Sequence, residues 1–453
     1  MQTERKAQEL WSNRGVFILA LMGSSIGLGN IWKFPHLISE QGGGTFILLY
    51  LVCMLAVGVP MMMAEVLIGR HTRSNPVQAM RLLSQESGVS GHWQWVGFLS
   101  VLTGTLVFSF YAVVAAWIFY YVYSLSTGLL IDAGLNQSNQ FFTQMLINPD
   151  ALIVSHSIFM LLVLLILGAG VRRGLDRAVR YLMPLMLLLL LILLVYATQT
   201  GFFYQAYQHL FTFRLEKVSS SMLISALGHA FFTLSIGMGV MMTYGSYLSR
   251  KESIGQTVAC VGVMDTLLAL VVGMVIFPIL MSVSMEPASG PSLLFITMPV
   301  AFGQLHAGQV LSVLFFLLVG VAAVTSAIAL MEPMTAWVEQ QFGIKRFKAA
   351  LISVTSVWLL SLAVLFSFSY LSEFTLWEMN LFEQVSALTT YILIPLVALS
   401  VMLFVGWVLV RRITQDQLSL SLLYYYSWRI SLRYLVPLVI GLIFVSNLYN
   451  VSF

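Results

Sequence analysis

The sequence predicts an all-α polytopic membrane protein, and three observations predict it. Of its 453 residues, 59% are hydrophobic and only 9% charged, with a mean hydropathy of +0.90. Eleven apolar segments are long enough to cross a bilayer, which takes about 20 helical residues. Basic residues fall almost entirely in alternate connections between those segments. So little charge argues against a soluble enzyme, and no feature suggests a nucleic-acid partner.

The segments run over 14–38, 45–69, 93–125, 152–170, 179–199, 221–248, 256–284, 308–342, 349–369, 383–410 and 433–450. No small-residue cleavage site follows the first, so it reads as a retained helix and not a signal peptide. The third and eighth are long enough to tilt or project. One set of connections holds Arg5, Lys6, Arg14, Arg70, Arg73, Arg81, Arg172, Arg173, Arg177, Arg180, Arg250, Lys251, Lys345, Arg346, Lys348, Arg411, Arg412, Arg429 and Arg433. The other set holds only Arg214 and Lys217, and Lys33 lies inside the first segment. Positive charge stays inside, which predicts a cytoplasmic N-terminus and an outer C-terminus. The longest outer connections are 126–151, 200–220 and 285–307. The last carries Pro287, Gly290 and Pro291 before an apolar run, and is expected to fold back into the outer mouth. Cys53 and Cys260 stand apart in apolar segments and read as small hydrophobes. The whole chain, 1–453, reads as a single transmembrane domain.

Two segments are interrupted. Gly23-Ser24-Ser25-Ile26-Gly27-Leu28-Gly29-Asn30 puts three glycines, two serines and an amide at mid-depth, and Ser235-Ile236-Gly237-Met238-Gly239 repeats the pattern in the second half. Glycine weakens a helix. Irregular backbone at that depth is tolerated only where it is buried in protein or lines a cavity. A single such run fits close helix packing; two matched runs flanked by hydroxyls point to a binding site between two halves.

The ionisable residues within the segments are Lys33, Glu65, His229, Asp265 and Glu332, with Glu383 near a rim. Each marks a functional site or a buried pair that stitches helices together. Glu65 can accept hydrogen bonds from the free N–H groups of a broken helix. Asp265 has no basic residue in its segment and must protonate or find a cation. Asn30, the hydroxyls of Ser25 and Thr233, and carbonyls at the first break are oxygen ligands, and one carboxylate among neutral oxygens suits a monovalent alkali cation. Thr325 and Ser326 offer a second hydroxyl pair, although hydroxyls on helices often bond back to the preceding turn. Tyr111, one turn after Val107, needs a partner if buried, and with Phe232 it could roof a pocket.

Residues 23–35, the run Gln41-Gly42-Gly43-Gly44-Thr45-Phe46, residues 230–247 and Thr325-Ser326-Ala327-Ile328-Ala329 closely resemble the signature motifs of the neurotransmitter:sodium symporters, over nearly the whole chain. Eleven segments resemble the short bacterial branch of that family. The resemblance implies a LeuT-type five-plus-five inverted repeat (14–199 and 221–410) with broken helices 1 and 6, and a peripheral eleventh helix at 433–450. It implies a prokaryotic plasma (inner) membrane, about two Na+ ions, no organic cofactor, and a monomer or homodimer. A first sodium site would use Ser25, Asn30, Thr233, Asp265 and the substrate carboxylate. A second would use Gly23, Ile26, Ala322, Thr325 and Ser326. Substrate would lie against Ser25, Gly27, Leu28, Gly29, Val107, Tyr111, Phe232, Thr233, Ser235, Met238, Ser326 and Leu330. Tyr111 and the exposed N–H groups at 28–29 would hold its carboxylate, helped by the helix dipole.

Four positions depart from the family pattern. Lys33 replaces the outer-gate arginine and offers a point charge in place of a fork. His229 replaces a glutamine near the chloride-site region. Gln8 and Gln340 replace the two charges of the inner latch, with Arg5, Lys6 and Glu339 close enough to substitute. Glu383 is the candidate for the outer acidic gate. Gly27 leaves space and no counter-charge where amine-selective relatives carry an acid, which implies a neutral, hydrophobic or aromatic L-amino acid. Fixed charge at Asp265 implies chloride independence. Gly174 and Pro184 mark the cytoplasmic half of helix 5 as the turn that opens inward. The expected protein is a sodium-coupled symporter working by alternating access and not an enzyme; the rivals are a same-fold carrier of another zwitterion, such as a betaine or nucleobase, and a non-transporting sensor or channel.

Overall fold

The computed structural model describes residues 9–130, 133–214, 216, 218–287 and 290–451, the side chains of 446–451 excepted. Arg5, Lys6, Gln8 and Lys217 lie outside these. Eleven elements follow in order: α1 in two halves (α1a Arg14–Ser25, α1b Gly29–Gln41), α2 (Gly44–Thr72), α3 (Gly91–Ser126), α4 (Pro149–Gly168), α5 (Val171–Thr198), α6 in two halves (α6a Ser220–Thr233, α6b Val240–Ser246), α7 (Ile254–Ser282), α8 (Gly308–Phe342), α9 (Arg346–Phe368), α10 (Leu381–Val408) and α11 (Leu422–Val445). Nine described helices are long and apolar enough to span, and the halves of α1 form a bent tenth span at 59°. α6 is the other broken element, its halves of 14 and 7 residues too short to span alone.

Local chemistry sets the ends. Asn13 caps α1a by accepting from the Val16 N–H at 3.0 Å. Within α1b a wide turn over Gly29–Lys33 leads into a regular α-helix, Phe34–Gln41, and Pro35 is its second residue, where a missing N–H costs least. In the second break Gly237 and Gly239 take φ of 80° and 73°, and Ser235 takes 51°. The left-handed serine is strained; its hydroxyl donates to the Ser24 carbonyl at 3.0 Å, tying the two breaks face to face.

Small residues let the helices cross closely. A Cβ on Gly69 would overlap the Met242 carbonyl, so α2 and α6b are held backbone to backbone. A Cβ on Gly104 would come 2.7 Å from the Met238 carbonyl, which seats α3 against the second break. After the 285–287 stretch a short helix, Leu293–Gly303, packs on α3, where the Tyr121 hydroxyl donates to the Phe295 carbonyl at 2.7 Å.

The last element departs from the sequence reading. α11 begins at Leu422, not near 433, so Arg429 and Arg433 belong to a helix and not to a connection. Arg429 is buried and donates to the Tyr425 hydroxyl at 2.8 Å, and the Arg433 guanidinium lies 4.9 Å from the Trp407 ring centre while Nε donates to the Gly406 carbonyl. Two arginines masked the helix from a hydropathy reading, although each finds a partner within protein.

Candidate functional site

Between the two breaks, oxygen atoms converge on a fully buried point. Asp265 projects from α7 and accepts from Asn30 Nδ2 at 2.7 Å and from the Tyr50 hydroxyl at 3.0 Å. The Thr233 hydroxyl lies 2.9 Å from Asn30 Oδ1, 3.3 Å from the Ser25 carbonyl and 3.2 Å from each Asp265 oxygen. Ser25, Asn30, Thr233 and Asp265, far apart in sequence, therefore form one cluster. No basic side chain is among the partners recorded for Asp265 in the described residues. Neutral oxygens around one carboxylate match what a dehydrated monovalent cation needs. Tyr50 is the member the sequence reading missed. The available signal was a phenol inside an apolar run, which must find a partner when buried.

A second cluster lies beside the first. Ser326 Oγ donates to the Gly23 carbonyl at 3.1 Å, and Thr325 Oγ1 donates back to the Ala322 carbonyl at 3.0 Å. Gly23 packs so closely that a Cβ there would meet Thr325 Cβ at 3.1 Å and Met183 Sδ at 3.3 Å. Ile26, also expected in this cluster, is buried and follows directly on α1a as its C-cap.

A cavity of about 30 Å³ adjoins both clusters. It is lined by Ser25, Gly27, Leu28, Gly29, Val107, Tyr111, Phe232, Thr233, Ser235, Met238, Ser326 and Leu330, together with Ser24. All twelve residues expected at the substrate site thus line one space. A larger cavity of about 230 Å³ shares Phe232 with it and is lined among others by Lys33, Leu37, Phe231, Tyr391 and Ile394. Phe232 lines both, and Lys33 Nζ sits 5.5 Å above its ring, within cation–π range.

The comparisons with known proteins carry the same pattern. The family model described as the sodium:neurotransmitter symporter family matches residues 8–145 and 143–453. The chain belongs to this family. Its members are sodium-dependent transporters, so the chain is a multi-pass membrane transporter and not an enzyme. It is similar to an uncharacterized sodium-dependent transporter of Haemophilus influenzae, 29% identical over 99% of this chain and 100% of that one. An uncharacterized sodium-dependent transporter of Bacillus subtilis is 29% identical over 98% of both chains. The solved structure of MhsT in complex with L-phenylalanine superposes with a TM-score of 0.86 at 32% identity, covering 97% of this chain and 100% of MhsT.

The symporter's remaining candidates divide. Glu65, fully buried, accepts from the Gly237 N–H at 2.8 Å and so supports the second break. Lys33 and Glu383 are not brought together. Glu383 closes a capping box with Asn380, accepting from its N–H at 3.0 Å while its own N–H donates to Asn380 Oδ1, a local role open to any glutamate three residues after a capping asparagine. His229 is fully buried between Phe34 and Tyr50, each ring 5.2 Å away. A Cβ on Gly174 would overlap the Ile166 carbonyl, so this glycine permits close passage of α4 and α5. Pro184 lies inside α5.

At the positions expected to form an inner latch, the described residues make other pairings. Gln340 accepts from the Asn75 N–H at 2.9 Å, and Glu339 pairs with Arg346 at 3.2 Å. The segment before α1a is instead clasped to α5: the Ser12 N–H donates to Asp176 Oδ2 at 2.9 Å, Arg180 bridges Asp176 and Ser12, and the Arg172 N–H donates to Glu9 at 3.0 Å. Trp11 ties the same segment to α6b and the residue after it, its backbone N–H donating to the Tyr247 carbonyl and its indole to that of Tyr244.

Proposed function

We propose that this transporter carries neutral, hydrophobic or aromatic L-amino acids together with about two sodium ions, independently of chloride, by alternating access. The observation that carries the reading is the adjacency of the Asp265 cluster to a cavity in which Tyr111 has an unpaired hydroxyl and Gly27 has no side chain. A carboxylate held by Tyr111 and the N–H groups at 28–29 would reach the first cluster and serve as an ion ligand. Each ligand then raises the other's affinity. Similarity to the MhsT complex with L-phenylalanine supports the substrate class. Because the cavity is small, a large side chain needs Met238 and Leu330 to shift, and methionine is flexible enough to do so.

In this reading Ser25, Asn30, Thr233 and Asp265 bind the first sodium, and Gly23, Ile26, Ala322, Thr325 and Ser326 the second. Phe232, Tyr111 and Lys33 close the outer side. Residues 14–199 and 221–410 are the two inverted repeats and 433–450 the core of the added helix. The N-terminus faces the cytoplasm of a prokaryote and the C-terminus faces outward. The deciding experiment is sodium-dependent binding of the twenty amino acids to purified protein, followed by uptake into proteoliposomes with chloride replaced by gluconate. Neutral apolar or aromatic amino acids should bind and uptake should survive. Preference for tryptamine over tryptophan, or collapse of uptake in gluconate, would overturn the substrate or the chloride assignment respectively.

The inner side is proposed to open through α5. Pro184 leaves one carbonyl of the preceding turn without its N–H donor, and its neighbour Met183 rests against Gly23 beside Thr325. Unwinding that turn would lift Met183 and admit water to the second cluster. Pro184→Ala should leave substrate binding nearly intact, slow turnover about severalfold, and reduce inward-side labelling of a cysteine placed at position 178. Wild-type turnover and labelling in the folded variant would leave Pro184 a packing feature.

A further inference from the structure

We propose that the Ser25 hydroxyl is a specificity-determining group that accepts a hydrogen bond from the substrate ammonium and selects primary over N-alkylated amines; this rests on the amino-acid reading above. The hydroxyls around the cavity are nearly all engaged. Ser24 donates to the Leu21 carbonyl at 2.8 Å, Ser235 to Ser24 at 3.0 Å and Ser326 to Gly23 at 3.1 Å, while Thr233 belongs to the Asp265 cluster. Among the described cavity-lining residues only the hydroxyls of Ser25 and Tyr111 are buried without a partner. A buried hydroxyl left unpaired is costly, and in a binding cavity the missing partner is the ligand.

Backbone polarity assigns the two hydroxyls to the two charged groups that the ligand carries on its α-carbon. Ser25 is the last residue of α1a, where helix carbonyls carry partial negative charge, and its own carbonyl faces Thr233 and the Asp265 cluster. That end favours a cation. Tyr111 lies near Gly27, at the side where α1b begins at Gly29 with outward N–H groups; a Cβ on Gly27 would come 3.7 Å from its hydroxyl. That end favours an anion. The ammonium therefore lies against Ser25 and the carboxylate against Tyr111. An N-methyl group would take one N–H direction and press a methyl onto the Ser25 hydroxyl, in a cavity of only about 30 Å³.

The test is equilibrium binding of L-phenylalanine and N-methyl-L-phenylalanine in sodium to wild type, Ser25→Ala and Ser25→Thr. Should wild type prefer another neutral amino acid, that amino acid and its N-methyl derivative serve as the pair. Wild type should favour the primary amine by about tenfold or more, the size of one hydrogen bond to a charged group. Ser25→Ala should bind it about tenfold more weakly and lose most of the preference, and Ser25→Thr, which keeps the hydroxyl, should restore the preference. The ratio isolates the contact, since a loosened site weakens both ligands alike. Undiminished binding by Ser25→Ala, or weakening with the ratio unchanged, overturns the proposal. Wild type that binds none of the twenty amino acids overturns the parent reading and this inference with it.

Discussion

Asp265→Asn should raise the sodium concentration needed for half-maximal substrate binding about a hundredfold, and should make uptake respond to chloride. The cluster has one negative charge, and Asn30, Thr233 and Tyr50 all lean on it. An amide of the same shape removes that charge, and its NH2 cannot accept from Asn30 and Tyr50 as both carboxylate oxygens do. Loss of a charged ligand from a buried cluster costs about 3 kcal/mol, which is the hundredfold. The absent charge is also what a bound anion would replace, so uptake by the variant should be stimulated when gluconate is exchanged for chloride. Tyr50→Phe removes one donor and should shift sodium dependence about fivefold; combined with Asp265→Asn it should add little, because the two act through one hydrogen bond. Equal sodium curves for wild type and Asp265→Asn would remove Asp265 from the ion site.

Gly27→Asp should weaken binding of L-phenylalanine at least about a hundredfold and shift relative preference toward 2-phenylethylamine. A Cβ at position 27 would stand 2.9 Å from Ser326 Oγ and 3.7 Å from the Tyr111 hydroxyl. The new carboxylate would occupy the end of the cavity proposed for the substrate carboxylate and use the same donors. Two like charges in a desolvated site cost several kcal/mol, enough for that loss. Gly27→Asn is the control, of the same size without the charge: it should weaken both ligands without the shift toward the amine. If the two variants discriminate between acid and amine identically, the carboxylate does not lie beside Tyr111 and Gly27.

Much of this was legible along the chain because it depends on local pattern. Hydropathy located the spans, and glycine and hydroxyl runs located both breaks, because a bilayer penalises an unpaired backbone wherever it occurs. Asp265 stood out because a lone carboxylate in hydrocarbon demands a cation, and the motif resemblance supplied the rest of its cluster. The misses share a cause as well. Arg429 and Arg433 concealed the start of α11, since hydropathy counts a charge without knowing that Tyr425 or Trp407 awaits it. The capping box of Glu383 with Asn380 was likewise a local contact that the hydropathy reading did not weigh.

The sequence by itself determined a membrane-embedded, twice-broken helical transporter with sodium-type oxygen chemistry. Only the tertiary structure decided that Tyr50 completes the Asp265 cluster, that Ser235 ties one break to the other, that Asp176 holds the segment before α1a, and that Ser25 keeps a free hydroxyl. Those contacts join residues 164 to 215 positions apart. Spacing along one helix fixes which side chains share a face, whereas partners on different helices are set by how the helices cross. Here those crossings depend on backbone approaches such as Gly69 on Met242 and Gly104 on Met238, which no single segment encodes.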